Sequence, residues 1–312
     1  MNKVIFPRTV QAPAAVVMIR PHFYTSNPET LQDNAFQTLT NNESDNVASL
    51  AFEEVTVCRD KLEEHGIKVH LFEDKTKETP DSVFPNNWFS THSGGHVAIY
   101  PMYPVNRRKE RRQDIIEMLK REYRVQDVVD YSGLEMDNIF LEGTGAMVLD
   151  HLDRVAYAVN SNRTNSLALE RFCSHFNYEP MVFDACNQDG VSVYHTNVMM
   201  SIGSEYSLIG LCMIKNKARR EEIVQRLEQS GKTVIPLSFE QIANFAGNAL
   251  ELQGEQGRIL ALSARAAACL TQQQKDLIEQ SAKLLPLEIP TIENSGGSVR
   301  CMLAGIHLAA RF

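Results

Sequence analysis

No two cysteines in this 312-residue chain sit at CxxC or any other zinc-like spacing; Cys58, Cys173, Cys186, Cys212, Cys269 and Cys301 are scattered. That excludes a zinc module or a disulfide framework as the source of the fold, and the thiols read as reduced groups of a cytoplasmic protein. Positive charge is not in excess. The formal net charge of -8 argues against a nucleic-acid partner, whose binding draws on Lys and Arg neutralising phosphates. The one basic run, 107–112 (RRKERR), is read as a solvated helix face opening the amphipathic stretch with Ile115, Ile116 and Leu119. Long apolar runs are also missing. The stretch 14–19 (AAVVMI) lies between Pro13 and Arg20, too short for a membrane span of about 18 residues, and reads as a buried strand. Neither GxGxxG nor a Walker-type loop occurs, so no nucleotide is expected. His92 and His96 are separated by Ser93, Gly94 and Gly95, a turn that keeps them off a common helical face, and no metal is expected there.

What the chain has is a repeat. Five segments share one form, a polar or small residue feeding an apolar run: Asn87 in FPNNWFSTH, Glu142 in FLEGTGAMVL, His195 in YHTNVMMSIG, Asn248 in FAGNALEL and Cys301 in SVRCMLAGIHL. Successive marked residues are 55, 53, 53 and 53 positions apart. Before each lie an amphipathic helix (near 46–65, 108–122, 164–176, 216–230 and 272–284) and a strand (IKVHLFE, YRVQDVV, EPMVFDA, TVIPLS and PLEIP). Gly66 and Gly231 fall where helices end, and Asn165 where one begins. Five such modules cannot bury separate cores, so they are expected to close around one axis as a single α/β domain spanning 1–312. Equivalent positions then converge at one end of that axis.

Convergence brings Glu142, His195 and Cys301 together. A thiol attacks as its thiolate and needs a base or cation beside it; an imidazole serves, and a carboxylate on its far side fixes the tautomer. Gly296 and Gly297 make a flexible approach to Cys301. The other five cysteines read as small buried hydrophobes, and Asn248 as a structural amide binding backbone groups near the axis.

The motifs PDSVFPNNWFSTH (80–92), LEGTG (141–145), NSNRTN (160–165), YHTN (194–197) and GGSVRC (296–301) resemble those of the amidinotransferase and deiminase superfamily, the penteins, over nearly the whole chain. That group includes arginine deiminases, dimethylarginine hydrolases, succinylarginine dihydrolases and glycine amidinotransferases, and the nearest resemblance is to its citrulline-utilisation (CtlX-like) branch. The resemblance implies a five-bladed α/β propeller, with Cys301 as nucleophile, His195 as general acid and base, and Glu142 orienting His195. It further implies a substrate-binding set of Asp81, Asn86, Asn87, Arg107, Arg163 and Asn197, with Arg163 and Arg107 holding a carboxylate or lining the site. Asp81 also suits a turn after Pro80.

Two departures from that pattern bear on substrate. Asn87 stands where deiminases carry a guanidinium-clamping Asp, and His195-Thr196-Asn197 replaces their His-x-Asp. A guanidinium has donors and no acceptor and calls for carboxylates, whereas a ureido group presents a carbonyl beside its N–H donors and suits amides. The expected reaction is therefore hydrolysis of a small amino-acid substrate, citrulline, to ornithine, ammonia and carbon dioxide, without cofactor. An arginine or N-acylarginine deiminase or dihydrolase, or an amidinotransferase, is the alternative among enzymes; succinylarginine dihydrolases also use Asn near the first position. A propeller that binds without turnover is the alternative outside them. Oligomeric state is not legible.

Overall fold

A computed structural model describes residues 9–31, 34, 36, 37 and 45–311. Local chemistry sets its elements. In the helix Asp45–Glu64, Ala51, Val55, Cys58 and Leu62 recur at helical spacing and are buried. Gly66, at φ +80°, then stops the helix and lets the Ile67 N–H return to the Leu62 carbonyl at 3.0 Å. Gly231 at φ +72° does the same after Lys217–Gln229. Asn165 caps Ser166–Phe176, its side chain accepting from the Leu167 N–H at 2.9 Å.

The strands form five three-stranded sheets. Four are continuous in sequence: Phe89–His92 with His96–Ile99 and Asp127–Asp130; Met147–Asp150 with Val155–Val159 and Glu179–Phe183; Met200–Ile202 with Tyr206–Ile209 and Thr233–Pro236; and Leu250–Gly254 with Gly257–Ser263 and Lys283–Leu287. In each, a tight hairpin makes the first pair antiparallel and a longer connection returns the third strand parallel to the second. The fifth sheet joins the chain's two ends: Ala304–Gly305 pairs antiparallel with Ala15–Pro21, which pairs in parallel with Lys68–Asp74. Neighbouring modules touch through first strands or the turns before them, and the turn Val299–Met302, which carries Cys301, closes the ring against Gly257–Ser263. The chain therefore has the five-module α/β fold expected from the period.

Apolar side chains fill the wedges between sheets and helices. The strand Ala15–Pro21 shows how: Val16 and Met18 enter the core of the helix Asp45–Glu64, while Ala15, Val17 and Ile19 enter the neighbouring one with Trp88 and Phe89. Burial on both faces explains its unbroken apolar sequence.

Four expectations need correction. Of the five cysteines other than Cys301, only Cys58 and Cys173 are buried; Cys186 and Cys269 are half-buried and Cys212 is exposed. The run 107–112 does not open a helix; a 3-10 turn, Asn106–Glu110, precedes the α-helix Gln113–Glu122. That turn rotates Arg107 inward, leaving it 2% exposed. The last module's strand is Lys283–Leu287 rather than PLEIP, because Pro290 begins a helical turn, Pro290–Glu293, for which its fixed φ is suited. In the second module, most of YRVQDVV is connection, and the strand is Asp127–Asp130.

Candidate active site

The marked residues sit on short turns that deliver the chain to each module's first strand. Asn87 ends the 3-10 turn Pro85–Asn87, Glu142 precedes the helical turn Gly143–Ala146, His195 precedes Thr196–Val198, and Cys301 lies within Val299–Met302. Such turns aim a side chain down the axis where a continuous strand would send it into a sheet face. Asp81, Asn87, Arg107, Arg163, His195 and Cys301 line one pocket. Its free space for water-sized centres is about 20 Å³, room for an ordered water.

Glu142 and His195 are 0% and 3% exposed and hydrogen-bonded, Nε2 to Oε2, at 2.8 Å. The other carboxylate oxygen accepts from the Tyr103 N–H at 2.9 Å, and Arg163 Nη1 lies 3.5 Å from Oε2. Burial works to raise the Glu142 pKa, but Arg163, the His195 hydrogen bond and Arg107 outweigh it and hold the carboxyl at about 2. Desolvation lowers the His195 pKa; its hydrogen bond to Glu142 opposes this in part, and the two arginines add to it. The resting pair is then an ionised carboxylate and a neutral imidazole with its proton on Nε2, leaving Nδ1 as the basic nitrogen.

Cys301 is 3% exposed. Its Sγ accepts from two side-chain amides, Asn197 Nδ2 at 3.2 Å and Asn248 Nδ2 at 3.3 Å. The Asn248 amide also donates to the Asn197 carbonyl at 2.9 Å and accepts from the Arg300 N–H at 3.0 Å. Asn248 thus makes the backbone contacts expected of it and touches the sulfur as well.

Arg107 is paired with Glu110 at 2.9 Å and donates to the Phe84 carbonyl at 3.2 Å. The Asn87 oxygen accepts from Arg107 Nη1 at 2.8 Å while its nitrogen donates to Asn86 Oδ1 at 3.1 Å. Arg107 therefore acts on the pocket largely through Asn87, and Asn86 stands behind Asn87 rather than in the wall. Arg163, 1% exposed, has its guanidinium 4.8 Å above the Tyr194 ring, so it is no helix-surface charge. Asp81 Oδ2 accepts from Asn27 at 2.7 Å, whereas its buried Oδ1 has no partner. Burial raises the Asp81 pKa, with Arg107 and the Asn27 hydrogen bond opposing it.

Thr30, Asn34 and Ser295 are walls that the motifs did not reveal. Asn34 Nδ2 donates to the Ser295 carbonyl at 3.1 Å, which seats that segment on the approach to Cys301. The glycines of LEGTG and GGSVRC have steric reasons. A Cβ at Gly145 would collide with the Asn87 amide and come within 2.9 Å of the His195 ring, and one at Gly297 would meet the Phe84 ring at 2.6 Å.

Comparison with known proteins agrees with this architecture. The N-terminal domain of ArgZ, an arginine dihydrolase from the ornithine-ammonia cycle in cyanobacteria, solved bound to its substrate, superposes with a TM-score of 0.69 at 16% identity, over 94% of this chain and 97% of that one. AgrE in complex with L-arginine gives 0.70 at 16% identity, over 95% of this chain and 40% of that one. A dimethylarginine dimethylaminohydrolase adduct with S-methyl-L-thiocitrulline gives 0.60 at 13% identity, over 94% and 99%. No curated protein sequence matches. The family model described as N,N dimethylarginine dimethylhydrolase, eukaryotic, matches residues 20–308, and the chain belongs to that family, within the pentein superfamily of guanidino-group-modifying proteins.

Proposed function

We propose that this protein is a cysteine-dependent hydrolase of C–N bonds in a small ureido or guanidino amino acid, with citrulline as its substrate. The observation that carries the reading is the pair of amides on the nucleophile: Asn197 and Asn248 both donate to Cys301 Sγ, and among the described residues no carboxylate hydrogen-bonds to it. N–H donors favour the charged sulfur before attack and the anionic oxygen of a tetrahedral adduct after it. Asn197 Oδ1, buried and without a partner, remains as an acceptor for a substrate N–H.

In this mechanism His195 Nδ1 takes the Cys301 thiol proton as the sulfur attacks the ureido carbon, and the imidazolium passes it to the departing ornithine nitrogen, leaving an S-carbamoyl enzyme and a neutral imidazole. Water deprotonated by the neutral His195 then breaks the C–S bond and releases carbamic acid, which decomposes to ammonia and carbon dioxide. Glu142 keeps the imidazole in its working tautomer. Asp81, with its free Oδ1, receives the substrate's ammonium group, and Arg163 faces its carboxylate. Six cysteines without a disulfide-framework spacing support a reducing compartment such as the cytoplasm; no helix among the described residues is long and apolar enough to cross a membrane.

A second reading, an arginine dihydrolase, is supported by the similarity to ArgZ bound to its substrate and AgrE bound to L-arginine. One experiment separates the two: incubate the purified protein with citrulline, arginine, N-succinylarginine and dimethylarginine, and measure ammonia and ornithine against Cys301→Ser. Citrulline should yield both products and the variant should fall to background. Ammonia from arginine with none from citrulline would overturn the ureido assignment in favour of the second reading.

A further inference from the structure

Cys301 and its neighbour Arg300 share one short turn but serve different cavities. Cys301 lines the catalytic pocket, whereas Arg300 lines a second cavity of about 40 Å³ on the axis, and the two cavities have no wall residue in common. Gln11 closes off this second space. Its Nε2 donates to the Leu149 and Ile202 carbonyls at 3.0 and 3.1 Å, and its Oε1 accepts from the His151 N–H at 2.8 Å. The wall contains the Arg300 guanidinium and the imidazoles of His151 and His307, stacked 3.8 Å apart, and no Asp or Glu. Arg300 Nη1 donates to the Leu303 carbonyl at 3.1 Å, and among the described residues no carboxylate pairs with it. Ser201, 5% exposed, also lines the cavity, and among the described residues its Oγ has no hydrogen-bond partner.

A half-buried cation with no carboxylate beside it among the described residues, and a buried hydroxyl without a partner among them, are two independent deficits that one anion in this cavity would remove. Desolvation pushes the Arg300 pKa down to about 10, so the guanidinium is still charged at neutral pH. His307 is pushed to about 4 by desolvation and by Arg300, and His151 also falls, which leaves both imidazoles neutral there. A water needs at least about 10–15 Å³. At about 40 Å³ the cavity exceeds that and admits a halide or a one-carbon oxyanion.

We propose that this axial cavity binds a small monovalent anion, a halide or bicarbonate, on the Arg300 guanidinium and the Ser201 hydroxyl. The site is independent of the substrate assigned to Cys301. Its test is structural and thermodynamic: crystals of the full chain are grown in sodium bromide and searched for anomalous signal, and thermal unfolding is followed in sodium bromide, chloride, bicarbonate and gluconate at equal ionic strength. A bromide peak beside Arg300 is expected, with a Tm that rises saturably in the small anions relative to gluconate. Arg300→Gln should lose that rise. The larger increment, in halide or in bicarbonate, identifies the natural class. A cavity without bromide, or a Tm that responds to all four salts alike, overturns the proposal, and the wild-type measurements decide it even if the variant fails to fold.

Discussion

Asn248 shows how much one side chain can carry at this axis. Its oxygen anchors the Arg300 N–H, and its nitrogen spans the Asn197 carbonyl and the nucleophilic sulfur. A hydrogen bond to a charged group contributes about 1.5–3 kcal/mol, so removing one N–H donor from a thiolate should lower its availability by roughly ten- to a hundred-fold. Asn248→Asp preserves the acceptor for Arg300 while replacing the donor with a negative charge. Cys301 in that variant should be alkylated by iodoacetamide at least about ten-fold more slowly at neutral pH, with the exposed Cys212 as internal reference. Peptide mass spectrometry of both cysteines over time gives the ratio; an unchanged ratio would mean that this amide does not activate the sulfur.

At the scale of elements, the nucleophile's module depends on a strand of two residues. Ala304–Gly305 pairs with Val17 and Val16, and the Ile306 N–H reaches the Ala15 carbonyl at 2.8 Å, so the chain's end holds both the ring and the turn bearing Cys301. Truncation after Leu303 should abolish the sharp urea transition of the full chain and the selective reactivity of Cys301; a truncated chain that kept a cooperative transition of undiminished midpoint would refute the closure role. This closure follows from the 53-residue period, because equal modules with an incomplete first member must borrow a strand from the last. The period was legible because chemically distinct residues recur at equal spacing within the same polar-to-apolar segment. Boundaries were less legible. The basic residues after Val105 suit a helix by composition, yet the burial of Arg107 against Glu110 and Asn87 depends on partners that no local pattern reports. Thr30 and Asn34 were invisible for a related reason: they come from a stretch with no period, and they matter through where the chain passes rather than through a motif.

At the scale of the whole molecule, the histidines gathered near the axis set how the fold responds to acid. His92, 0% exposed, and His151, 8% exposed, lie with centroids 6.2 Å apart, and His195 is buried in the catalytic pocket. Burial lowers the pKa of all three, with neighbouring basic groups adding to it: His307, Arg154 and His96 around His92; His307, His92, Arg154 and Arg300 around His151; and Arg163 and Arg107 around His195, where Glu142 opposes them in part. An unfolded histidine titrates near 6.5. Below that pH the unfolded chain takes up protons that the folded chain refuses, so their contribution to stability is complete above pH 6.5 and is lost as pH falls toward the lowered folded values. Glu142, held at about 2, keeps its contribution above the ordinary carboxylate range and loses it later, as pH falls from there toward 2. Acid should therefore destabilise the protein in two stages, histidines first. Each histidine adds at most about 1.4 kcal/mol per pH unit to the slope. His92 packs its ring 4.6 Å from Phe176 and 5.4 Å from Phe172, so a phenylalanine there would join an existing aromatic cluster. Urea unfolding of His92→Phe between pH 7 and pH 4 should show a shallower loss of stability than the wild type by up to that amount, with the lower-pH stage unaltered. Parallel curves for the two proteins would show that His92 charges equally in both states, and the first stage would need another source.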